Sequence, residues 1–249
     1  MPLSWQIILR AEDNRVLAPD LAARRNWSAT IARVGRPWPL LAHGLADTHG
    51  HLLLVGEREV AGLAARCLGR ALRVALCPDH AWEPARLRPV HDQAHLSNTF
   101  RYVLDQQQHH RLPGDDHAEG CALPDLVGLR PAGAWMADNC RRHLPRLSLE
   151  TLASRLRSSL TPKDARPLSS LPLAVEAATY GRSAPGARLA AVHLAVGAST
   201  GDLAAALRLC ARQVRRHRTL EPEPAWVSAV SGWWTLLSPR HALPPAPAG

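Results

Sequence analysis

Apolar and polar residues follow two different periods along the first part of the chain. SWQIILR, at residues 4–10, has the β-branched and aromatic content of a strand. Residues 19–34 instead place apolar side chains on one side of a helix, which Gly35 closes. Two short strand-like runs follow at 37–47 and 48–55. The pattern therefore predicts a strand, a helix and a pair of strands.

The same reading extends to residue 112. Apolar residues recur at helical spacing over 57–76, a short extended piece follows at 85–90, and 92–112 carries a second apolar helical stripe. The predicted order is β-α-β-β-α-β followed by a helix, which is the ferredoxin-like arrangement with an antiparallel sheet. We therefore predict an α+β domain over residues 1–112.

The second half of the chain has a different composition. Residues 113–148 are rich in Gly, Pro and Asp and are interpreted as a connecting segment. Apolar helical periods return from residue 149 and predict an all-α domain over 149–220. Residues 221–249 begin with a short tryptophan-containing apolar segment and end in a Pro/Ala-rich tail, which we predict to be disordered.

Charge indicates the class of partner. The 249 residues carry a formal net charge of +9, and every basic residue except Lys163 is an arginine. An excess of this size favours a polyanionic partner, with nucleic acid ahead of an anionic membrane. The five cysteines form no C-x-x-C pair, so neither a disulfide framework nor a zinc ribbon is indicated. Without a signal-peptide pattern or a long apolar run, we expect a cytoplasmic, nucleoid-associated protein with no membrane partner.

Two pairs of residues suggest a chemistry. His49 and His51 stand at i and i+2 of a predicted strand, so both point to one face and could chelate a divalent cation. The alternative is that they are two surface histidines among 13. Tyr102 and Gln106 stand at i and i+4 of a later helix and share one face, as does His110. Their alternative is an ordinary tyrosine and a surface glutamine.

An H-x-H pair on a strand followed by Y-x-x-x-Q on a later helix resembles the HUH single-strand nucleases. More narrowly, residues 1–112 resemble the HUH-type single-tyrosine transposases, including the REP-associated tyrosine transposases. The resemblance implies that His49, His51 and Gln106 hold one Mg²⁺ or Mn²⁺. It also implies that Tyr102 attacks single-stranded or hairpin DNA and forms a 5′-phosphotyrosine. His110 is an auxiliary candidate, for ligation, DNA contact or structure.

One departure from the family pattern keeps other functions open. Gly50 stands between the histidines, where the family usually has a bulky hydrophobic residue, and glycine weakens a strand. A second hypothesis is therefore a non-catalytic protein, derived from such a transposase, that binds hairpin or duplex DNA. A third is a metallohydrolase barrel, but such a barrel takes about 250 residues by itself.

The segment TGDLAAALRLCARQVRRHR, residues 200–218, fits a helix-turn-helix. Thr200 is predicted to cap the first helix, and residues 208–210 to form the turn. The second helix carries residues suited to base edges or phosphates: Arg212, Gln213, Arg215, Arg216 and Arg218. The alternative is a basic helix in a plain bundle. With the helices before it, the segment resembles the DNA-binding domain of the replication initiator DnaA, which implies duplex or hairpin binding by a monomer or a homodimer.

Overall fold

The computed structural model describes residues 3–110, 117–154, 156 and 166–238. Its sheet has four strands, β1 (Ser4–Arg10), β2 (Leu40–Leu45), β3 (His49–Val55) and β4 (Arg86–Val90). They lie in the order β2-β3-β1-β4, and every neighbouring pair is antiparallel. The predicted α+β class with an antiparallel sheet is confirmed. A metallohydrolase barrel, which needs eight parallel strands, is contradicted.

Four helices accompany these strands: α1 (Leu21–Val34), α2 (Arg58–Leu76), α3 (Gln93–Leu104) and α4 (Gln106–His110). The prediction of one continuous helix over 92–112 is wrong. The helix stops at Asp105, whose N–H bonds to the carbonyls of both Arg101 and Tyr102, and whose φ of −93° and ψ of 7° are not helical. Residues 111 and 112 lie outside the described residues.

The two faces of the sheet have different coverings. Strand alternation sends Gly50 and Leu52 to one face and His49 and His51 to the other. Helices α1 and α2 cover the first face, where the indole of Trp27 lies against Gly50. Helix α3 packs on the second face, so the two histidines lie on the same face as the tyrosine-bearing helix.

Residues 117–144, which fall in the predicted connecting segment, also contribute to the core. They form α5 (Leu123–Leu126), a 3-10 turn at Pro131–Gly133 and α6 (Trp135–His143). Helix α6 lies along β2. Asn139 Nδ2 donates to the carbonyl of Leu40 at 3.0 Å, and the thiol of Cys140 donates to the carbonyl of Leu41 at 3.1 Å. This stretch therefore covers the outer edge of the sheet.

The described residues beyond α6 are largely helical. Their helices are α7 (Leu149–Ser154), α8 (Leu171–Ala178), α9 (Pro185–Leu194), α10 (Thr200–Leu207), α11 (Ala211–Arg218) and α12 (Pro224–Leu237). Helix α12 packs on α8 and α9, and its buried Trp233 donates to the carbonyl of Leu129 at 2.9 Å. The disorder predicted for the carboxy-terminal tail concerns 239–249, which lie outside the described residues. Within the described residues, no helix is long and apolar enough to cross a membrane.

A buried set of charged side chains joins the two halves. Glu119 accepts from Arg25 Nε at 2.6 Å and Nη2 at 3.0 Å, and from Arg130 Nη2 at 3.3 Å. Asp125 accepts from the hydroxyl of Tyr180, at the end of α8. Because Arg25 belongs to α1 and Tyr180 follows α8, these contacts connect the sheet region to the carboxy-terminal helices. We call these five residues the buried ionic network.

Candidate metal and nuclease site

The histidine pair lies at the centre of the sheet. His49 is opposite Arg10 and His51 is opposite Ile8, so both imidazoles lie beside β1. The two ring centroids are 4.7 Å apart with an interplanar angle of 75°. His51 is 2% exposed, whereas His49 is partly exposed. The i, i+2 spacing does place the two side chains together, as the sequence predicted.

A glycine on β2 brings the tyrosine helix to this pair. Gly44 is opposite His51, and a Cβ built on it would lie 1.9 Å from the carbonyl oxygen of Val103. The end of α3 can therefore lie directly on β2, and Gln106 Cγ comes within 3.3 Å of the same position. Sequence reasoning missed Gly44. The available signal was a glycine inside a strand, which often marks the close approach of another backbone.

Tyr102, Gln106 and His110 all reach the histidine pair. The Tyr102 ring centroid is 5.5 Å from that of His51, and the His110 centroid is 5.4 Å from that of His49. Gln106 is fully buried, and its Nε2 donates to the carbonyl of Tyr102 at 2.8 Å, across the break between α3 and α4. The structure thus brings together all five residues that the sequence singled out in this half.

Two buried atoms at the site lack a hydrogen-bond partner among the described residues. They are Nε2 of His51 and Oε1 of Gln106. Buried polar atoms are almost always bonded, so this nitrogen and oxygen either pair with each other, as the effect of Gln106 on the pKa of His51 indicates, or bind a cation. Two imidazoles and an amide oxygen form a neutral donor set, and nitrogen donors favour Mn²⁺ over Mg²⁺. The three residues of the predicted ligand set therefore fit a divalent cation.

The fit depends on the amide oxygen. No group of three or more His, Cys, Asp or Glu side chains within the described ranges is arranged to hold a metal ion. His49 and His51 alone supply two ligands, and Gln106 is the third. With so few protein ligands, water or the oxygens of a bound anion would complete the coordination.

Gln6 controls the tautomer of His51. Its side-chain Nε2 lies 3.1 Å from His51 Nδ1. With this nitrogen donating, Nδ1 accepts and the proton of the neutral ring lies on Nε2. Metal binding through Nε2 requires the Gln6 amide in the opposite orientation, with its oxygen accepting from Nδ1–H. Sequence reasoning missed Gln6. A polar residue inside the otherwise apolar SWQIILR was the available signal.

The local electrostatics keep both imidazoles neutral. Burial, together with the positive charges of His49, His110 and Arg88, lowers the pKa of His51 to about 3, while the nearby Gln106 acts in the opposite direction. Burial also lowers the pKa of His49, with contributions from His110 and Arg10. Neutral imidazole is the form that coordinates metals, so protons do not compete with a cation at His51 near pH 7.

A cleft of about 180 Å³ opens beside the histidines. Its wall toward β4 is cationic and consists of Arg10, Arg86 and Arg88, with Glu83 beside them. The cleft also reaches the ring of Tyr102, which is 41% exposed. The sequence analysis did not select these arginines, although the alternation in RLRPV places Arg86 and Arg88 on one face.

The structure gives a physical reason for Gly50. A Cβ at this position would lie 1.9 Å from the six-membered ring of Trp27. The indole of Trp27 is fully buried and donates from Nε1 to Nδ1 of His43 at 3.3 Å. The tryptophan of α1 therefore fills the space that a bulky side chain between the histidines would occupy. Because Gly50 faces away from the cleft, its small size does not alter the metal-facing side.

The helix-turn-helix segment contains the predicted turn but a different cap. Helices α10 and α11 are joined by residues 208–210, with Arg208 in the left-handed conformation at φ 51°. The prediction that Thr200 caps the first helix is wrong: Ser199 is the cap, and its side chain accepts from the N–H of Asp202 at 3.1 Å. Four apolar residues between the two helices are buried: Leu203, Leu207, Leu209 and Val214.

Two of the five predicted DNA-contacting residues have internal partners. Gln213 Oε1 accepts from the N–H of Cys210 at 2.9 Å, which closes a capping box. Arg218 donates to the hydroxyl of Thr200 at 3.1 Å and to the carbonyl of Ala198 at 2.6 Å. The other three are exposed, with no hydrogen bond or ion pair to the described residues: Arg212, Arg215 and Arg216.

Comparisons with protein-family models, with curated proteins and with solved structures find no match to this chain.

Proposed function

We propose that this chain is an HUH-type tyrosine DNA nuclease and strand transferase that acts on single-stranded or hairpin DNA. The observation that carries the proposal is the meeting of Tyr102 and His51 at an arginine-lined cleft, with the buried Gln106 bonded to the carbonyl of Tyr102. The β-α-β-β-α-β order and the β2-β3-β1-β4 strand order agree with the ferredoxin-like arrangement of that class.

The reaction follows from the residue types. The Tyr102 oxygen attacks a DNA phosphorus, so an O–P bond forms and the bond from phosphorus to the 3′ oxygen breaks. The phenolic proton passes to solvent, and the departing 3′ oxygen takes up a proton to become a hydroxyl. The product is a 5′-phosphotyrosine, which conserves the phosphodiester energy and allows a second 3′-hydroxyl to reverse the step. The exposure of Tyr102 gives a strand access to its hydroxyl.

His49, His51 and Gln106 would hold the cation. When bound, Mn²⁺ or Mg²⁺ supplies orientation of the scissile phosphate and neutralises the charge that develops on it. Gln6 holds the His51 ring through Nδ1 and so fixes which nitrogen faces the cleft. His110 lies against His49 and restricts the position of that second ring.

The carboxy-terminal region supplies a second DNA contact in this proposal. Arg212, Arg215 and Arg216 extend from α11 into solvent, as a recognition helix requires. Guanidinium groups form bidentate hydrogen bonds with phosphates and guanine edges, so this helix suits a duplex or the stem of a hairpin.

The test is cleavage of labelled single-stranded oligonucleotides taken from the DNA that flanks the gene, in the presence of Mn²⁺. We expect the full chain to form a covalent protein–DNA adduct that survives denaturing electrophoresis, and Tyr102→Phe to form none. Tyr180→Phe is the matched control, because that tyrosine is buried away from the cleft. Equal behaviour of wild type and Tyr102→Phe, with no adduct, would contradict the proposal.

A second candidate is a DNA-binding protein without nuclease activity. It is favoured by the small number of protein ligands at the histidine site. The two candidates differ in metal binding. A nuclease should bind Mn²⁺ and lose that binding in His51→Asn, whereas a protein that only binds DNA should shift a hairpin on a gel with or without Mn²⁺.

A further inference from the structure

Three arginines share the sheet face that carries the histidine pair. Arg10 is opposite His49 on β1, and Ile8 is opposite both His51 and Arg86, so these positions form adjacent rows of the same face. Arg88 lies two residues beyond Arg86 on β4, beside Gln6. Because β4 is an edge strand, this face is open beyond the arginines.

The three guanidinium groups differ in their partners. Arg86 Nη2 forms an ion pair with Glu83 at 2.7 Å. Arg10 instead has a buried Nε with no hydrogen-bond partner among the described residues. Arg88 is exposed, and its guanidinium group makes no hydrogen bond or ion pair within the same part of the chain. Within the described residues, no ion pair therefore neutralises the charge of Arg10 or Arg88.

The shape of the cleft favours a single strand. Its volume of about 180 Å³ is below the range of roughly 300–1,000 Å³ usual for small-molecule sites, so it admits a phosphate with part of a sugar. Helix α3 and the histidines bound it on one side, and β4 bounds it on the other. A chain of nucleotides can enter over the β4 edge, where the arginine side chains reach its phosphates.

We propose that Arg10 and Arg88 bind two phosphates of one DNA strand and so position its scissile bond against Tyr102. This inference rests on the proposed function. The two arginines are positioning residues: they hold the strand, and the reaction itself belongs to Tyr102. Arg86 contributes less, because a phosphate must compete with Glu83 for its guanidinium group.

The experiment measures binding separately from cleavage. Full-length Tyr102→Phe chain is titrated into labelled oligothymidylate over a series of potassium chloride concentrations, with excess unlabelled duplex present to occupy the helix-turn-helix. Arg10→Gln and Arg88→Gln are each expected to weaken binding about tenfold. Each should also reduce the slope of log affinity against log salt by about 0.7.

Two control variants carry the same loss of charge. Arg66→Gln removes an exposed arginine from α2, on the opposite face of the sheet, and should leave affinity within about twofold. Arg86→Gln should weaken DNA binding more than Arg66→Gln and less than Arg88→Gln. If all four substitutions weaken binding equally, the arginines act only through net charge and the inference is overturned.

A neutral methylphosphonate linkage identifies direct contact. Moved stepwise along the oligonucleotide, it should weaken binding to the Tyr102→Phe chain at the position that Arg88 contacts. At that position it should have no further effect in the chain that also carries Arg88→Gln. Additive losses at every position would overturn the inference. This binding measurement does not depend on the covalent adduct. If the chain binds DNA through Arg10 and Arg88 but forms no adduct, the nuclease proposal is rejected and the phosphate-binding role of the two arginines is still supported.

Discussion

The chain has two tyrosines, and they lie in two polar regions of opposite character. Tyr102 is 41% exposed at a cleft where His51 Nε2 and Arg10 Nε have no hydrogen-bond partner among the described residues. Tyr180 is 6% exposed and donates to Asp125 inside the buried ionic network. One region leaves cationic and metal-binding groups open to a ligand, while the other neutralises its charges internally.

The difference separates stability from function. In the buried ionic network, each carboxylate has an arginine or tyrosine partner from a distant part of the chain, so its contacts hold the two halves together. At the cleft, the positive charge of Arg10 lowers the pKa of His49, and that of Arg88 lowers the pKa of His51. Unpaired charges of one sign are unfavourable in a folded protein unless a ligand neutralises them. The cleft is therefore the region suited to bind an anion.

Loss of a charge from the network should have the largest effect on stability. Glu119→Gln leaves the buried Arg25 and Arg130 without their shared carboxylate and should lower the free energy of unfolding by about 3–5 kcal/mol. Glu176→Gln is a matched control, because Glu176 pairs with the same Arg25 at 3.4 Å but its side chain is 55% exposed. It should cost less than about 1 kcal/mol in urea unfolding. Equal losses of unfolding free energy in the two variants would show that the buried Glu119 contributes no more to stability than the exposed Glu176.

The two tyrosines give the next comparison. Tyr180→Phe removes a hydroxyl that donates to a buried carboxylate and should cost about 1.5–3 kcal/mol of unfolding free energy. Tyr102→Phe removes an exposed hydroxyl and should change that free energy by less than about 0.5 kcal/mol. The covalent adduct should show the opposite order, with loss in Tyr102→Phe alone. A stability loss in both variants would remove the distinction between the regions.

Gly50 tests how tightly α1 packs on the sheet face opposite the histidine pair. Gly50→Ala places a methyl group against the rigid indole of Trp27 and should destabilise the fold by about 1–3 kcal/mol. Gly62→Ala on α2 meets only the end of the Arg66 side chain, at 3.8 Å, and should be neutral or stabilising. The double variant Gly50→Ala/Trp27→Leu should be more stable than the two single losses predict, measured by a double-mutant cycle. Strict additivity would mean that Trp27 does not fill the site of the missing side chain.

The sequence was informative where local spacing decides the geometry. The i, i+2 spacing of His49 and His51 and the alternation of β1 depend only on strand geometry. The contact between that strand and Tyr102 depends instead on Gly44, which lies on another strand and lets α3 approach. A contact between elements that are distant in the chain leaves no periodic pattern in the sequence, so it could not be predicted.

Buried charges were missed for a related reason. Glu119 and Asp125 stand in a stretch rich in Gly, Pro and Asp, a composition typical of loops. Their burial is explained by Arg25, almost a hundred residues earlier, and by Tyr180, further along the chain. The break at Asp105 was missed too, because the apolar stripe of α3 continues in register up to that residue.

High pH gives the smallest effect and separates the tyrosines again. Burial, and then the negative charge of Asp125, raise the pKa of Tyr180 well above its ordinary value of about 10. Above pH 10 the unfolded chain loses this proton while the folded chain keeps it, so stability falls as pH rises. The loss should reach about 0.8 kcal/mol half a pH unit above the unfolded-state pKa. Tyr180→Phe should lack that component of the alkaline loss, whereas Tyr102→Phe should retain it, as measured by urea unfolding at a series of alkaline pH values. An identical alkaline slope in wild type and Tyr180→Phe would mean that Tyr180 ionises in the folded protein and that Asp125 does not hold its proton.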